Sequence, residues 1–214
     1  MSSILSSEQI QILRRALLNK PLNVCFGGGV DSTAMLIALN EAEIIPDVIT
    51  FADTGGEKPE TLAHVHKMQH VLAMWGFPQT AIVRKVTKAE TSYNDLEGNC
   101  VDNETLPSLA FGMKSCSIKW KQGPQDAYLK GVSKGPQKRP AHPLWLRTQR
   151  DGIKITKLIG YDAGPADLRR SKNLKDTDGE FAYIYPLQLL GWSRGDCVKA
   201  IVQALGTDYV PIKS

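Results

Sequence analysis

Apolar and polar positions alternate between helical and strand periods along the first half of the chain. Ser6 followed by Gln9 makes a capping-box pattern, and Ile10, Leu13, Leu17 and Leu18 then share one face, which predicts a helix through about Leu18. After Asn19-Lys20-Pro21 the run LNVCF is short, apolar and bounded, as a buried strand should be. STAMLIALNEAE returns to the helical period and is stopped by Pro46. DVITFAD, residues 47–53, reads as a β-branched strand and TGGEKPE as a turn, and Pro59 suits the first turn of a helix reaching about Trp75. AIVRKV, residues 81–86, is a third strand. Strand and helix in this alternation predict an α/β fold with a parallel sheet and right-handed crossovers.

Downstream the pattern weakens. From Thr87 to Pro107 the chain is polar and aperiodic and predicts loop. Residues 114–150 mix a short helix around Gln125 to Leu129 with Gly, Pro and basic residues, a composition that fits a basic lid and equally a long surface connection. IKITKLIG, residues 153–160, regains strand character, and SRGDCVKAIVQAL, with Ser193 as N-cap, predicts a terminal helix. With 214 residues and 42% hydrophobic positions, one domain over residues 1–214 is expected. No apolar run approaches the ~20 residues of a membrane span, and the first residues lack the basic and apolar regions of a leader, so a cytoplasmic protein without a membrane partner is expected.

Charge and cysteine usage narrow the chemistry. Between Lys114 and Lys175 there are fifteen Lys and Arg against four Asp, a local +11 in a chain of +4 overall. Such a block attracts phosphate-rich partners, tRNA or DNA among them, and is also what a solvated basic face looks like. Cys25, Cys100, Cys116 and Cys197 are scattered, without a C-x-x-C pair or zinc-finger spacing. His64, His66, His70 and His142 invite a metal reading, and His66 and His70 stand four apart on the predicted helix, but no Glu lies between them in the zincin arrangement and no third ligand is evident, so a solvated helix face is expected.

FGGGVDST, residues 26–33, carries the clearest chemical signal. Three glycines between a strand and a helix bring successive amide N–H groups within reach of a phosphate, and the helix adds its unpaired N–H groups and positive dipole end. No Lys follows the loop as the Walker pattern requires, and Ser32 occupies the third glycine position of the dinucleotide fingerprint. A tight turn that uses glycine for geometry alone is the competing reading.

GGGVDST resembles the S-G-G-x-D-S-[TA] pyrophosphate loop of the ATP pyrophosphatase, or adenine nucleotide α-hydrolase-like, superfamily, with Gly27 where that pattern has Ser. DTGGEKPET, residues 53–61, resembles the D-T-G-x-x-x-P-E-T segment of phosphoadenosine-phosphosulfate reductases and their relatives. Looser likenesses are KSCSIKWKQGP, residues 114–124, to the C-[ST]-x-x-x-K segment of small reductase-like proteins often encoded by phages; GYDAGPADLRRS, residues 160–171, to a segment closing the nucleotide site; and PLQLLGWSRGDCVKAI, residues 186–201, to a late helix. Together they cover about residues 20–205.

The resemblance implies a Rossmann-like five-stranded parallel sheet flanked by helices, with a basic irregular segment after the third strand. It implies an adenine nucleotide, ATP or phosphoadenosine phosphosulfate, bound by Phe26, Gly27, Gly28 and Gly29 with Asp31, Ser32 and Thr33. Asp53, Thr54 and Gly55 would line the nucleoside cleft, Gly160 and Arg170 would close the site, and Arg169 or Arg170 would face the phosphates. Asp31 would hold Mg²⁺ or cap its helix. ATP users of this group split between the α and β phosphates and adenylate a second substrate. The reductase branch attacks sulfur with a cysteine; here the candidate is Cys116, with Lys119 beside it. The E-C-G-x-H tail and the cysteine sets of an iron–sulfur cluster are absent from the sequence, so no cluster is expected. A silent nucleotide-binding module is a third option, and a homodimer is left open.

Overall fold

In the computed structural model, residues 3–87, 90–104, 117–135, 138–172 and 178–212 are described. Helix α1 (Ser7–Leu17) starts on the expected capping box: Ser6 accepts from the Gln9 N–H, and the Gln9 side chain accepts from the Ser6 N–H. Strand β1 (Leu22–Cys25), helix α2 (Val30–Glu41), strand β2 (Val48–Asp53), helix α3 (Pro59–Met74) and strand β3 (Thr80–Arg84) follow as the alternation predicts. Helix α2 begins two residues before the expected Ser32, with Gly29 at its N-cap.

The second half holds more regular structure than its sequence announces. Helix α4 (Leu96–Asp102) lies inside the stretch expected to be loop; Asp95 caps it by accepting from the Gly98 N–H at 2.7 Å. A π-helical turn, Ser117–Gln122, runs directly into α5 (Gly123–Lys130), and α6 (Pro143–Arg150) is capped by the His142 Nδ1. Then come β4 (Ile155–Ile159), α7 (Pro165–Lys172), β5 (Phe181–Ile184), the short α8 (Pro186–Leu189) and α9 (Arg194–Leu205), whose Ser193 cap was foreseen.

All five strands are parallel, in the order β3-β2-β1-β4-β5. This is the expected α/β, Rossmann-like sheet, and its order reverses between β1 and β4, the place where open sheets of this kind have a crevice outside the carboxyl ends. On one face Val24, Phe26, Ile49, Phe51 and Leu158 pack against α1, α2, α3 and α9. Helix α2 is buried from Ser32 to Leu39, so it is apolar nearly all round, as a helix enclosed on every side must be. The other face is smaller and partly polar. Ile155 and Phe181 meet Leu129 and Leu144, while Asn23, Thr50 and Lys157 are buried beneath α5.

One contact fixes the crevice. Gly160, just past β4, lies against the first turn of α2, where an added Cβ would sit 2.8 Å from both the Cα and the N of Ser32. These are backbone atoms and cannot step aside. Gly160→Ala is therefore expected to cost about 1–3 kcal/mol of unfolding free energy in urea, the range for overpacking; an unchanged midpoint would show that strand and helix do not meet here.

Candidate functional site

The glycine loop spans the four residues between β1 and α2. Gly28 has φ +69°, and a Cβ there would meet Thr61 Cγ2 at 2.9 Å and Val65 Cγ2 at 3.0 Å, so this glycine is required by backbone conformation and by α3. Gly27 and Gly29 differ. A Cβ on Gly27 would touch only Ser32 Oγ, at an ordinary 3.7 Å, and one on Gly29 would meet nothing within 4 Å. Their bare backbone is not demanded by packing, and it faces the mouth of the loop.

Hydrogen bonding inside the loop leaves a row of donors open. Ser32 Oγ accepts from Gly27 N–H at 3.2 Å and donates to Gly29 O at 3.1 Å, and Thr33 Oγ1 donates to the same carbonyl at 2.9 Å. No side chain caps α2, and the N–H groups of Gly28, Gly29, Val30, Asp31 and Ser32 find no acceptor among the described residues. Five adjacent amides at the positive end of a helix make a nest for an anion.

Beside that nest stand three carboxylates. Asp31, Asp162 and Asp167 each offer one oxygen, and these oxygens lie within 4.8 Å of one another. Asp31 Oδ2 accepts from Arg194 Nη1 at 2.8 Å, while its Oδ1 is buried without a partner among the described residues. Asp167 accepts from Arg170 at 2.7 Å, and one Asp162 oxygen accepts from the Gly164 N–H at 2.7 Å. Burial pushes the Asp31 carboxyl above the usual carboxylate range; Arg194 pulls it back, and Asp162 and Asp167 push it up further. Three acids against two guanidinium groups leave an excess negative charge, so the donor set suits a hard divalent cation with oxygen ligands.

The ends of β2 and β3 form the other flank. Asp53 Oδ1 accepts from Gly55 N–H at 2.8 Å, and Thr54 Oγ1 donates to Glu57 at 3.1 Å. Gly55 has φ +77° and is covered by the Arg84 guanidinium, 2.4 Å from where its Cβ would be. The turn is thus held open for Arg84, which pairs loosely with Asp53 at 3.7 Å. Lys121 reaches Glu57 at 3.0 Å and ties the π-helical turn to the same loop.

Of the other expected site residues, Arg169 is exposed on α7 next to Asp167, Arg170 is paired with Asp167, and Lys119 is exposed on the π-helical turn. Cys116 lies outside the described residues. Burial pushes the Cys25 thiol up to about 11, against the pull of Lys157, and Cys197 is fully buried, so neither is primed as a thiolate. A cavity of about 610 Å³ lined by Asp47, His142, Leu146 and Arg147 lies at the opposite, amino edge of the sheet, away from the loop. Among the described residues of the basic stretch, Lys121, Lys130, Arg147, Arg150, Lys157 and Arg170 are each in an ion pair, and α6 carries Arg147 and Arg150 to that amino edge.

Three residues escaped the sequence reading. Asp162 sits inside the GYDAG segment, and Arg194 opens α9, where only contact across the crevice reveals a role. His64 is buried, not solvated like His66 and His70; its place in the stripe Thr61, His64, Val65, Met68 was the available signal. Its Nε2 lies 2.9 Å from Thr33 Oγ1. Since the single Thr33 hydroxyl proton goes to Gly29 O, the ring donates from Nε2 and braces the loop.

Burial, with Lys67 adding to it, lowers the His64 pKa from 6.5 to about 4. The folded value is below the unfolded one, so the neutral ring's contribution to stability is complete above about pH 6.5 and is lost as pH falls toward 4. His64→Gln should flatten the fall of the thermal midpoint across that window; an unaltered slope would remove His64 as its source. The chain matches no family model and no curated protein, so the reading of the site rests on these residues alone.

Proposed function

We propose that the chain is an adenine-nucleotide enzyme of the pyrophosphate-loop kind, which cleaves ATP between the α and β phosphates and adenylates a second substrate. The observation that carries this reading is the nest of five unpaired amides from Gly28 to Ser32 beside a carboxylate cluster, since an anion site and a cation site in contact complement a metal–polyphosphate pair.

In this reading the amides of Gly28 to Ser32 hold the β and γ phosphates. Asp31, Asp162 and Asp167 would hold Mg²⁺, which would supply positive charge to offset that of the phosphates. An oxygen of the second substrate attacks the α phosphorus; a new P–O bond forms, the bond to the bridging oxygen breaks, and its electron pair leaves with pyrophosphate. Charge therefore grows on the leaving group, where the fixed amides and the α2 dipole already point. Arg169, exposed on α7, supplies a further cation at the rim. The nucleoside lies along Asp53, Thr54 and Gly55, and Gly160 keeps the floor between β1 and β4 clear.

Two measurements test this. ATP with Mg²⁺ should raise the thermal midpoint, by an amount that corresponds to about 2.7 kcal/mol at a hundredfold excess over Kd. Gly29→Ala should weaken ATP roughly tenfold or more through loss of close amide contacts, yet cost no more than about 1 kcal/mol of stability, since the methyl meets open space. No ATP response in the wild type, or equal affinity in Gly29→Ala, defeats the reading. Asp31→Asn should abolish Mn²⁺ binding followed by electron paramagnetic resonance. Because the Asp31 carboxyl is raised, wild-type Mn²⁺ affinity should begin to fall on acidification at a higher pH than an ordinary aspartate would give.

A further inference from the structure

At the carboxyl end of β3, about two strand spacings or roughly 10 Å from the glycine loop, the cations do not balance. Lys85 Nζ lies 4.4 Å above the Trp120 ring centroid, and Lys119 Nζ lies 6.0 Å from the same centroid and 5.8 Å from that of Tyr93. The two ammonium groups face each other, and neither has an acidic partner among the described residues. Glu57 is engaged by Lys121, Asp53 by Arg84 and Gly55, Asp95 by Gly98 and Asp102 by Ser92. The neighbouring stretches 88–89 and 105–116 contain no Asp or Glu. Burial and the facing Lys119 lower the Lys85 pKa, as expected for like charges held together without a counter-ion. The Trp120 indole N–H is buried, in a residue only 1% exposed, and has no acceptor among the described residues. An unmet buried donor beside two unneutralised cations asks for an anion. A cleft of about 320 Å³, lined by Ser92, Tyr93, Asn94, Asp95, Val101 and Asp102, shares Tyr93 with this cluster and has the size of a small-molecule site.

We infer that Lys85 and Lys119 form a second anion subsite that takes a phosphate or sulfate group of a small second substrate. It rests on the proposed nucleotide reading only in assigning the glycine loop to the nucleotide's own phosphates. A polymer is the poorer fit, because a nucleic-acid backbone needs a track of free cations, and six described cations of the basic stretch are already in ion pairs. A single convergent pair suits a single compact dianion.

The test is calorimetric titration of inorganic phosphate, and separately sulfate, into the full chain saturated with ATP and Mg²⁺, using wild type, Lys119→Gln, Lys119→Arg and the Lys85→Gln/Lys119→Gln pair. The wild type should bind one phosphate, Lys119→Gln should lose at least about tenfold in affinity, and Lys119→Arg should retain binding. Lys119 is exposed, so its variants read the subsite even if the double variant fails to fold. Equal phosphate affinity in wild type and Lys119→Gln overturns the subsite. So does loss of phosphate binding on ATP saturation, which would place the phosphate in the glycine loop, or tighter binding of a single-stranded oligonucleotide that Lys119→Gln abolishes. If ATP gives no heat but phosphate alone still distinguishes Lys119→Gln from wild type, the nucleotide reading fails and the subsite stands.

Discussion

Backbone meets backbone where Gly160 leaves β4 and touches the first turn of α2, and the rest of the site is arranged around that contact. A side chain at this point would force the strand and the helix apart, and with them the two halves of the crevice. Gly28 closes the loop from the other side: its positive φ and its fit against Thr61 and Val65 pin the turn to α3. Thr33 and His64 add a hydrogen bond between the same two helices. The amide nest is therefore held rigidly on both flanks while Gly27 and Gly29 remain open, and preorganised donors of this kind need no rearrangement as charge develops on a bound anion.

The same contact carries Asp162 over Asp31. A carboxylate in the first turn of a helix is favoured by the helix dipole, yet the buried and crowded position of Asp31 works against its charge. Arg194 compensates for part of that cost, but Asp31 Oδ1 has no donor among the described residues. An unmet buried oxygen between two other carboxylates is costly in an isolated fold and useful in one that takes up a cation together with phosphates. Positive amides and negative acids side by side thus tie the two proposed roles of the loop to each other: the ligand that suits one suits both.

How far the sequence reached depends on where the information was local. The capping box at Ser6, the N-cap at Ser193, the period of α1 and α3, and the four apolar strand runs are set by neighbouring residues and were legible. β5 was not: FAYI is short, and its strand character comes from pairing with β4, from Ile155 opposite Phe181 to Leu158 opposite Ile184. α4 and α6 were hidden for a related reason, since both are short: α4 starts from the Asp95 cap inside a polar stretch, and α6 starts from His142, an uncommon cap. At the site, the glycines and Asp31 were visible in sequence because a phosphate loop is a contiguous device. The carboxylate cluster joins residues some 130 positions apart, and Arg194 comes from the last helix, so only the folded chain brings them together.

The polar second face of the sheet explains how a turn in an irregular region acquires a fixed place. Lys157, in a central strand and only 3% exposed, pairs with Asp126 of α5 and lies 3.8 Å over the Phe181 ring. Next to it Thr50 Oγ1 meets Gln125 at 2.8 Å and Asn23 at 3.2 Å. One hydroxyl proton cannot serve two carbonyl oxygens, so at least one of these amides presents its NH₂ to Thr50; turning the Asn23 amide would give its Nδ2, otherwise unmet, an acceptor. Apolar residues of equal volume could stabilise this layer as well or better, but apolar surfaces slide over one another, whereas the Lys157–Asp126 ion pair and the directed Thr50–Gln125 hydrogen bond admit one position of α5. The π-helical turn runs into α5 without a break, so that position also sets where Trp120 and Lys119 stand over the ends of β2 and β3. A buried charge in the middle of the sheet thereby governs the geometry of the cleft at its edge.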